Sequence, residues 1–413
     1  MQSEPPLSRA ELERPMARCS PPGFIYLNNA AEGWPKAPGV AAAVARAMEQ
    51  PPFSPGRVAG HAAAPAAECR QRIANLLGVP DPRRVVLSAS ATHALNLAIH
   101  GLLTHGLLAD GLGTHSSARR SPAVVITTVT EHNSVLRPLF LMERKQQARI
   151  ITVGLDASGC LDSAAFERAL SERPRLVAIN HASNVTGRIN CVERWFALAK
   201  DAGAVTLLDA SQTVGHIPVL PSKLSADLVA FPGHKGLHGP AGTGALYVAP
   251  EVDLEQIVVG GSGQNSQSRS HPADMPERLE AGTANGPGLA GLAAALAWHA
   301  VNGEDFRQRE KQAGRCLRDG LRSIPKVRLF DDAPEWERLS LVPFLVQGWP
   351  VDEVGLTLLE SFGIVCRTGL HCAPLMHEAI GTMAEGTIRL SASGFNTDVE
   401  VQTAVASVAR LAN

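Results

Sequence analysis

No sign of charge predominates in this 413-residue sequence: 38 Lys and Arg face 39 Asp and Glu, leaving a net charge of −1. That balance removes the overall electrostatic case for nucleic-acid binding or for adhesion to an acidic membrane surface. Long apolar runs are missing too. The longest, around Leu289 to Val301, falls far short of the ~20 residues that cross a bilayer. The opening stretch, MQSEPPLSRAELERPMARCS, has acids and prolines but no apolar h-region, so it does not read as a secretory signal. Seven cysteines (Cys19, Cys69, Cys160, Cys191, Cys316, Cys366, Cys372) are odd in number and scattered, with no Cys-x-x-Cys pair. Neither a zinc ribbon nor a disulfide framework fits them, and a reducing compartment is the default. Internal repeats are absent. These absences point to a soluble, cytoplasmic protein with no nucleic-acid or membrane partner.

What the sequence does hold is core material. Hydrophobic residues make up 45% and charged residues 19%, the balance of a large packed interior. At roughly 150 residues per folding unit the chain makes two or three. From Arg84 onward, short β-branched runs alternate with amphipathic or Ala-rich helical stretches. VVLS, AVVITT, LVAIN, VTLLDA, LVAFP and GALYV read as strands, several apolar on both faces as buried parallel strands are. Past Pro287 the pattern changes. Two helices (about Gly288–Val301 and Asp305–Ser323) lead into strands near Val327–Leu329 and Leu339–Val346, then a helix near Val351–Ser361. The expected layout is a flexible arm over 1–22, a large α/β domain over 23–290, and a smaller α+β domain over 291–413. The segment after the arm is open to packing with the small domain. THGLLADGLGTHSSARRS (Thr104–Ser121) reads as a loose connection.

Chemistry is expected at the carboxyl ends of the strands, where open α/β sheets collect ligands. In FPGHKGLHGPAGTGALY, Lys235 stands between Gly233 and Gly236 right after an apolar strand, where a cofactor can approach. Taken alone, such a lysine is a surface residue of a turn. The Gly-Thr-Gly further on precedes a strand instead of opening a helix, so it is not a dinucleotide fingerprint. In LLDASQTVGH, Asp209 ends an apolar strand, where a carboxylate needs a specific partner. Pyridoxal 5′-phosphate (PLP) explains both residues: a Schiff base on Lys235, and Asp209 keeping the pyridine nitrogen protonated so that the ring is an electron sink.

Nine ordered blocks carry a broader likeness. They are YLNNAA, SASATHALNLA, VTEHNSVLRP, INHASNVTGRIN, LLDASQTVGH, FPGHKGLHGPAGTGALY, RLEAGTANGPG, GIVCRTGLHCAP and GTIRLSASGFNT. From about Ile25 to Leu411 the sequence resembles the class V, fold-type I PLP enzymes, and within them the group II cysteine desulfurases and selenocysteine lyases. The resemblance implies a mostly parallel seven-stranded sheet covered by helices, with a smaller α+β domain carrying the catalytic cysteine loop. It implies that Lys235 holds PLP, Asp209 pairs with the pyridine nitrogen, Gln212 bonds the phenolic oxygen and His132 stacks on the ring. Ala91 and Thr92, at a helix start, and His234 would hold the phosphate. Thr283 would reach the other subunit's phosphate, implying a homodimer with shared active sites. Relatives often carry Ser or Thr where this chain has Pro232, which offers neither hydroxyl nor N–H.

RTGLHC resembles the motif whose cysteine attacks the substrate's sulfur, making Cys372 the nucleophile, with Arg367 and His371 beside it to favour a thiolate. Cys69, Cys191, Cys316 and Cys366 read as inert buried thiols. Arg389 is similar to the family's carboxylate clamp, with Asn184 as a partner donor. Metal binding through His371, Cys372, His234 and His238 lacks a ligand set with zinc-like spacing. The implied reaction turns L-cysteine into L-alanine, leaving a persulfide on Cys372 that an acceptor protein discharges. Alternatives of the same fold are selenocysteine lyase, another class V aminotransferase-type reaction, or an idle dimeric scaffold.

Overall fold

The structure is a computed structural model and describes residues 23–50, 65–108, 121–262, 267–330, 333–334 and 337–413. The arm expected over 1–22 lies outside the described residues. In chain order the strands are β1 (Ile25–Tyr26), β2 (Val85–Ser88), β3 (Ala123–Thr128), β4 (Ala148–Val153), β5 (Leu176–Asn180), β6 (Val205–Asp209), β7 (Leu228–Pro232), β8 (Gly244–Val248), β9 (Val327–Leu329), β10 (Leu341–Val346), β11 (Ile364–Val365) and β12 (Ile388–Ser391). The helices are α1 (Val40–Glu49), α2 (Pro65–Leu77), α3 (Ala91–Leu108), α4 (Asn133–Arg144), α5 (Ser163–Leu170), α6 (Val192–Asp201), α7 (Pro221–Leu224), α8 (Gly286–Arg322), α9 (Val351–Phe362), α10 (Pro374–Ala379) and α11 (Asp398–Ala412).

Seven strands form the main sheet in the order β2-β8-β7-β6-β5-β3-β4. β4, β3, β5, β6 and β7 run parallel, and β8 lies antiparallel to both β7 and β2. Period-two alternation sends each strand's side chains to two separate cores. Val177 and Ile179 of β5 pack with α2, α5, α6 and the start of α8, whereas Leu176 and Ala178 pack with α3 and α4. That double cover is why β5 and β7 are buried at every residue. The register aligns Asn180 with Asp209 and Asp209 with Ala230, so the carboxyl ends of β5, β6 and β7 form one rim.

The second unit is a three-stranded antiparallel sheet, β12-β10-β9, covered by the distal half of α8 with α9 and α11. The first described residues belong to it: β1 pairs with β11 in parallel, and Leu27 joins its core.

Two expectations are corrected. The helices read as Gly288–Val301 and Asp305–Ser323 are one 37-residue helix, α8. Gly303 costs a helix interior about 1 kcal/mol, but burial of Trp298, Phe306 and Ala313 on either side outweighs a single poor helix former. Of the expected loose connection, Thr104–Leu108 extends α3; residues 109–120 lie outside the described residues.

Candidate active site

Asp209 closes β6 with its carboxylate buried at the rim, where Oδ1 accepts from Ser211 N at 2.9 Å. One strand over, the chain leaves β7 through Gly233, His234 and Lys235. Gly233 N donates to the Thr243 carbonyl at 2.9 Å, and a Cβ at Gly233 would strike the Thr243 hydroxyl. The crowding that these glycines relieve is therefore the protein's own, between neighbouring turns. Lys235 is half-buried, and desolvation pulls its amine from 10.5 to about 8; Asp209 opposes, Arg389 and Arg367 push further down, and Cys372 opposes.

At one end of the cavity, α3 starts at Ala91 with Ser90 as its cap, Ser90 Oγ accepting from His93 N at 3.1 Å. Free N–H groups of the first turn and the helix dipole favour an anion there. Thr92 Oγ1 lies 2.9 Å from Ser134 Oγ. His234 lines the same cavity with a buried Nδ1 that has no hydrogen-bond partner. Burial, then Lys235, pulls its imidazole down to about 4, so it is neutral. Pro232 also lines the wall.

His132 holds two positions at once. It is the N-cap of α4, accepting from Ser134 N at Nδ1 (3.0 Å), which leaves the ring proton on Nε2. Its ring lines the cavity, held neutral at about 4 by burial and Lys235 against the opposing Asp209. Gln212 Nε2 donates to the Ala30 carbonyl at 3.0 Å, tying the N-terminal segment to the Asp209 turn.

Strain marks the cysteine loop. His371 and Cys372 are consecutive non-glycine residues with left-handed φ, 48° and 59°, a conformation that persists only where neighbours impose it. They do: the Cys372 carbonyl accepts from Asn133 N at 2.8 Å, and the His371 carbonyl from Asn184 Nδ2 at 2.6 Å. Arg367 Nη2 lies 3.3 Å from Cys372 Sγ. Arg367 and His371 line the cavity; Cys372, half-buried, is not in that lining and adjoins it through Arg367. The expectation that His371 helps charge the thiol is corrected. Its ring turns to Thr387 Oγ1 (3.0 Å), and burial with Arg389 holds it neutral, down to about 2.

Arg389 completes the wall. Its Nη1 donates to the Asn184 carbonyl at 2.6 Å, while Nε is buried without a partner. Burial and Arg367 draw the guanidinium down to about 9. Nη2 reaches Asn28 Oδ1 at 3.5 Å, and among the described residues no carboxylate forms an ion pair with the guanidinium, so its charge is left for a ligand's carboxylate.

Eleven residues read from the sequence thus converge on one cavity, Cys372 adjoins it, and Thr283 does not: it is exposed, outside the lining of its own chain. Sequence reasoning missed Ser90, Ser134 and Asn180, all in the lining. Ser90, one residue before an Ala-rich helix, was findable as an N-cap. It also missed Glu131, fully buried behind the rim, whose carboxyl burial pushes up to about 8 despite bonds from Asn180 N and Thr128 Oγ1. Among the other cysteines, Cys69 is buried as expected, its thiol pushed up to about 12, whereas Cys366 is only half-buried, its thiol pushed up to about 11. Cys191 departs from expectation, being exposed at the start of α6, and Cys316 is only half-buried.

The sheet order, the lysine at the rim and the strand-end aspartate define a fold-type I enzyme. The chain belongs to the aminotransferase class-V family, whose model matches residues 54–403, and this family works with PLP. A probable cysteine desulfurase of Methanothermobacter thermautotrophicus is 30% identical over 343 residues, covering 81% of this chain and 80% of that relative. The cysteine desulfurase CsdA of Escherichia coli is 30% identical over 349 residues, 83% of this chain and 81% of that one. Among solved structures, an apo cysteine desulfurase of Thermococcus onnurineus superposes with a TM-score of 0.83 at 28% identity, covering 94% of each chain. CsdA in its S-sulfonic acid form gives 0.80 at 28% identity over the same coverage. Among the described residues no helix is long and apolar enough to cross a membrane.

Proposed function

We propose that this protein is a PLP-dependent cysteine desulfurase that converts L-cysteine to L-alanine and takes the sulfur onto Cys372. The observation that carries the reading is a convergence: an amine lowered by desolvation (Lys235) and a buried guanidinium with no carboxylate partner among the described residues (Arg389) line one cavity, and a thiol under a guanidinium (Cys372 and Arg367) adjoins it. The residues suit PLP. Lys235 would hold its aldehyde carbon, Asp209 its pyridine nitrogen and His132 its ring face. The first turn of α3 with the partnerless Nδ1 of His234 would hold the phosphate. Bound there, the cofactor supplies an electron sink for bonds broken at the substrate's Cα.

The chain's own residues do the rest. Arg389 binds the substrate carboxylate through two parallel N–H bonds, fixing which bond faces the lysine. Lys235, its amine lowered to about 8, takes and returns a proton at Cα near neutral pH. Cys372 Sγ attacks the substrate's sulfur; the S–S bond forms as the Cβ–S bond breaks, its electron pair stays with carbon, and Cβ is then protonated. The result is alanine and a Cys372 persulfide, with no external oxidant or reductant. A thiol of an acceptor protein then takes the outer sulfur. The exposure of Thr283 supports a homodimer in which this segment completes the partner's phosphate site, and the protein's place of work is the cytoplasm.

Alanine release from L-cysteine by purified protein tests the reading. Cys372→Ala should lose at least 100-fold in rate, the scale set by removing a covalent nucleophile. Undiminished release would remove Cys372 from the mechanism.

A further inference from the structure

Behind the lysine lies a buried ion pair that the proposed chemistry does not use. His216, on the turn that follows β6, sets Nδ1 2.7 Å from Oε1 and 2.9 Å from Oε2 of Glu310. The two side chains are 10% and 6% exposed. Burial pulls the imidazole down, but the charge and hydrogen bond of Glu310 outweigh it against the opposing charge of Lys235, so His216 rises above its ordinary value. The other groups facing it, His238 beside the lysine and His299 on α8, are held neutral by burial at about 3. Burying two charges is costly enough that an apolar pair of similar volume is often as stable. Stability alone is therefore a poor account of this pair.

Its contacts suggest another. A Cβ at Gly236 would come within 2.6 Å of the His216 ring and 2.5 Å of the Val214 carbonyl, so the ring lies flush against the residue that follows Lys235. The same turn is continuous with Asp209: the Ala210 carbonyl accepts from Thr213 N and Val214 N, and the Thr213 carbonyl from His216 N. At the other end, the Glu310 carbonyl accepts from Ser340 Oγ at 2.9 Å, just ahead of β10. Ser340 packs on Gly314, where a Cβ would sit 2.7 Å from its Cα. The distal half of α8 is the spine of the unit that carries Cys372 and Arg389.

We propose that His216 and Glu310 are a positioning pair, clamping the Asp209 turn and the Lys235 loop to α8 so that amine and thiol meet one substrate. Neither touches substrate or cofactor. The inference rests on the reading of Lys235 and Cys372 as the reacting groups.

The test is the full-length double variant His216→Gln, Glu310→Gln, which removes both charges together and leaves no buried charge unpaired; Glu310→Gln alone serves if the double variant is insoluble. In protein stripped of cofactor, amides of 213–216 and 234–238 should exchange hydrogen roughly tenfold faster, with β5 unchanged. In the holoenzyme, kcat for cysteine should fall roughly tenfold or more at unchanged KM, since a 1 Å misplacement costs on the order of 10²-fold. Wild-type exchange in both segments together with wild-type kcat overturns the clamp, whatever the change in melting temperature. A wild type that makes no alanine from cysteine sinks the desulfurase reading alone, and exchange in the stripped chain still decides the clamp.

Discussion

Asn184 donates its side-chain amide to the carbonyl of His371 at 2.6 Å, joining residues 187 apart in the chain. One partner stands just past the rim of the large sheet and the other directly before the thiol. With Asn133 N on the Cys372 carbonyl, both left-handed residues are fastened to the large unit. The thiol is thereby presented on a short, pinned loop. Asn184→Ala strips the His371 carbonyl of this donor, so stability should fall by about 1–3 kcal/mol in urea unfolding. Cys372 should also react more slowly with substrate sulfur in a single turnover. Unchanged stability and rate would show the bond to be incidental.

Arg389 gives a prediction about recognition. Arg389→Lys keeps a positive charge but loses the planar fork, so KM for L-cysteine should rise by roughly tenfold to a hundredfold, with a smaller change in kcat. Steady-state kinetics on holoenzyme decides it. A variant with the wild-type KM would mean that the carboxylate binds elsewhere.

Lys235 gives a prediction with a definite pH window. Its amine titrates near 8 in the folded chain against 10.5 ordinarily, so between those values the unfolded chain holds a proton that the folded chain lacks. Stability of the cofactor-free protein should therefore rise with pH across that window, and below it the full penalty remains, on the order of 3 kcal/mol. Lys235→Met removes the penalty. Its margin over wild type should be largest below pH 8 and shrink towards pH 10.5 in denaturant titrations at several pH values. A margin constant across the window would place the folded amine at its ordinary value.

Much of the fold was legible because its strands are short, uninterrupted apolar runs: LVAIN and LVAFP are strands at those residues and are buried throughout. α8 was misread because Asn302 and Gly303 are poor helix formers, and a local pattern cannot weigh the burial of Trp298 and Phe306 that carries the helix through. The site was legible where chemistry and position coincide, as for Asp209 at a strand end and Lys235 between glycines. The contact of the His371 ring with Thr387 was not, because φ at 371 and 372 is set by Asn184 and Asn133, partners far off in sequence. Nor was Glu131, whose environment is made by Asn180 and Thr128 only once β3 and β5 pair.

The most direct measurement follows the sulfur atom. Wild-type holoenzyme is mixed with one equivalent of L-cysteine, quenched with an alkylating reagent and mapped by peptide mass spectrometry. One additional sulfur on the peptide holding Cys372, and none on those holding Cys191 or Cys316, is the expected result. Alanine formed with no extra sulfur on Cys372, or with the extra sulfur on another cysteine, would contradict the assignment.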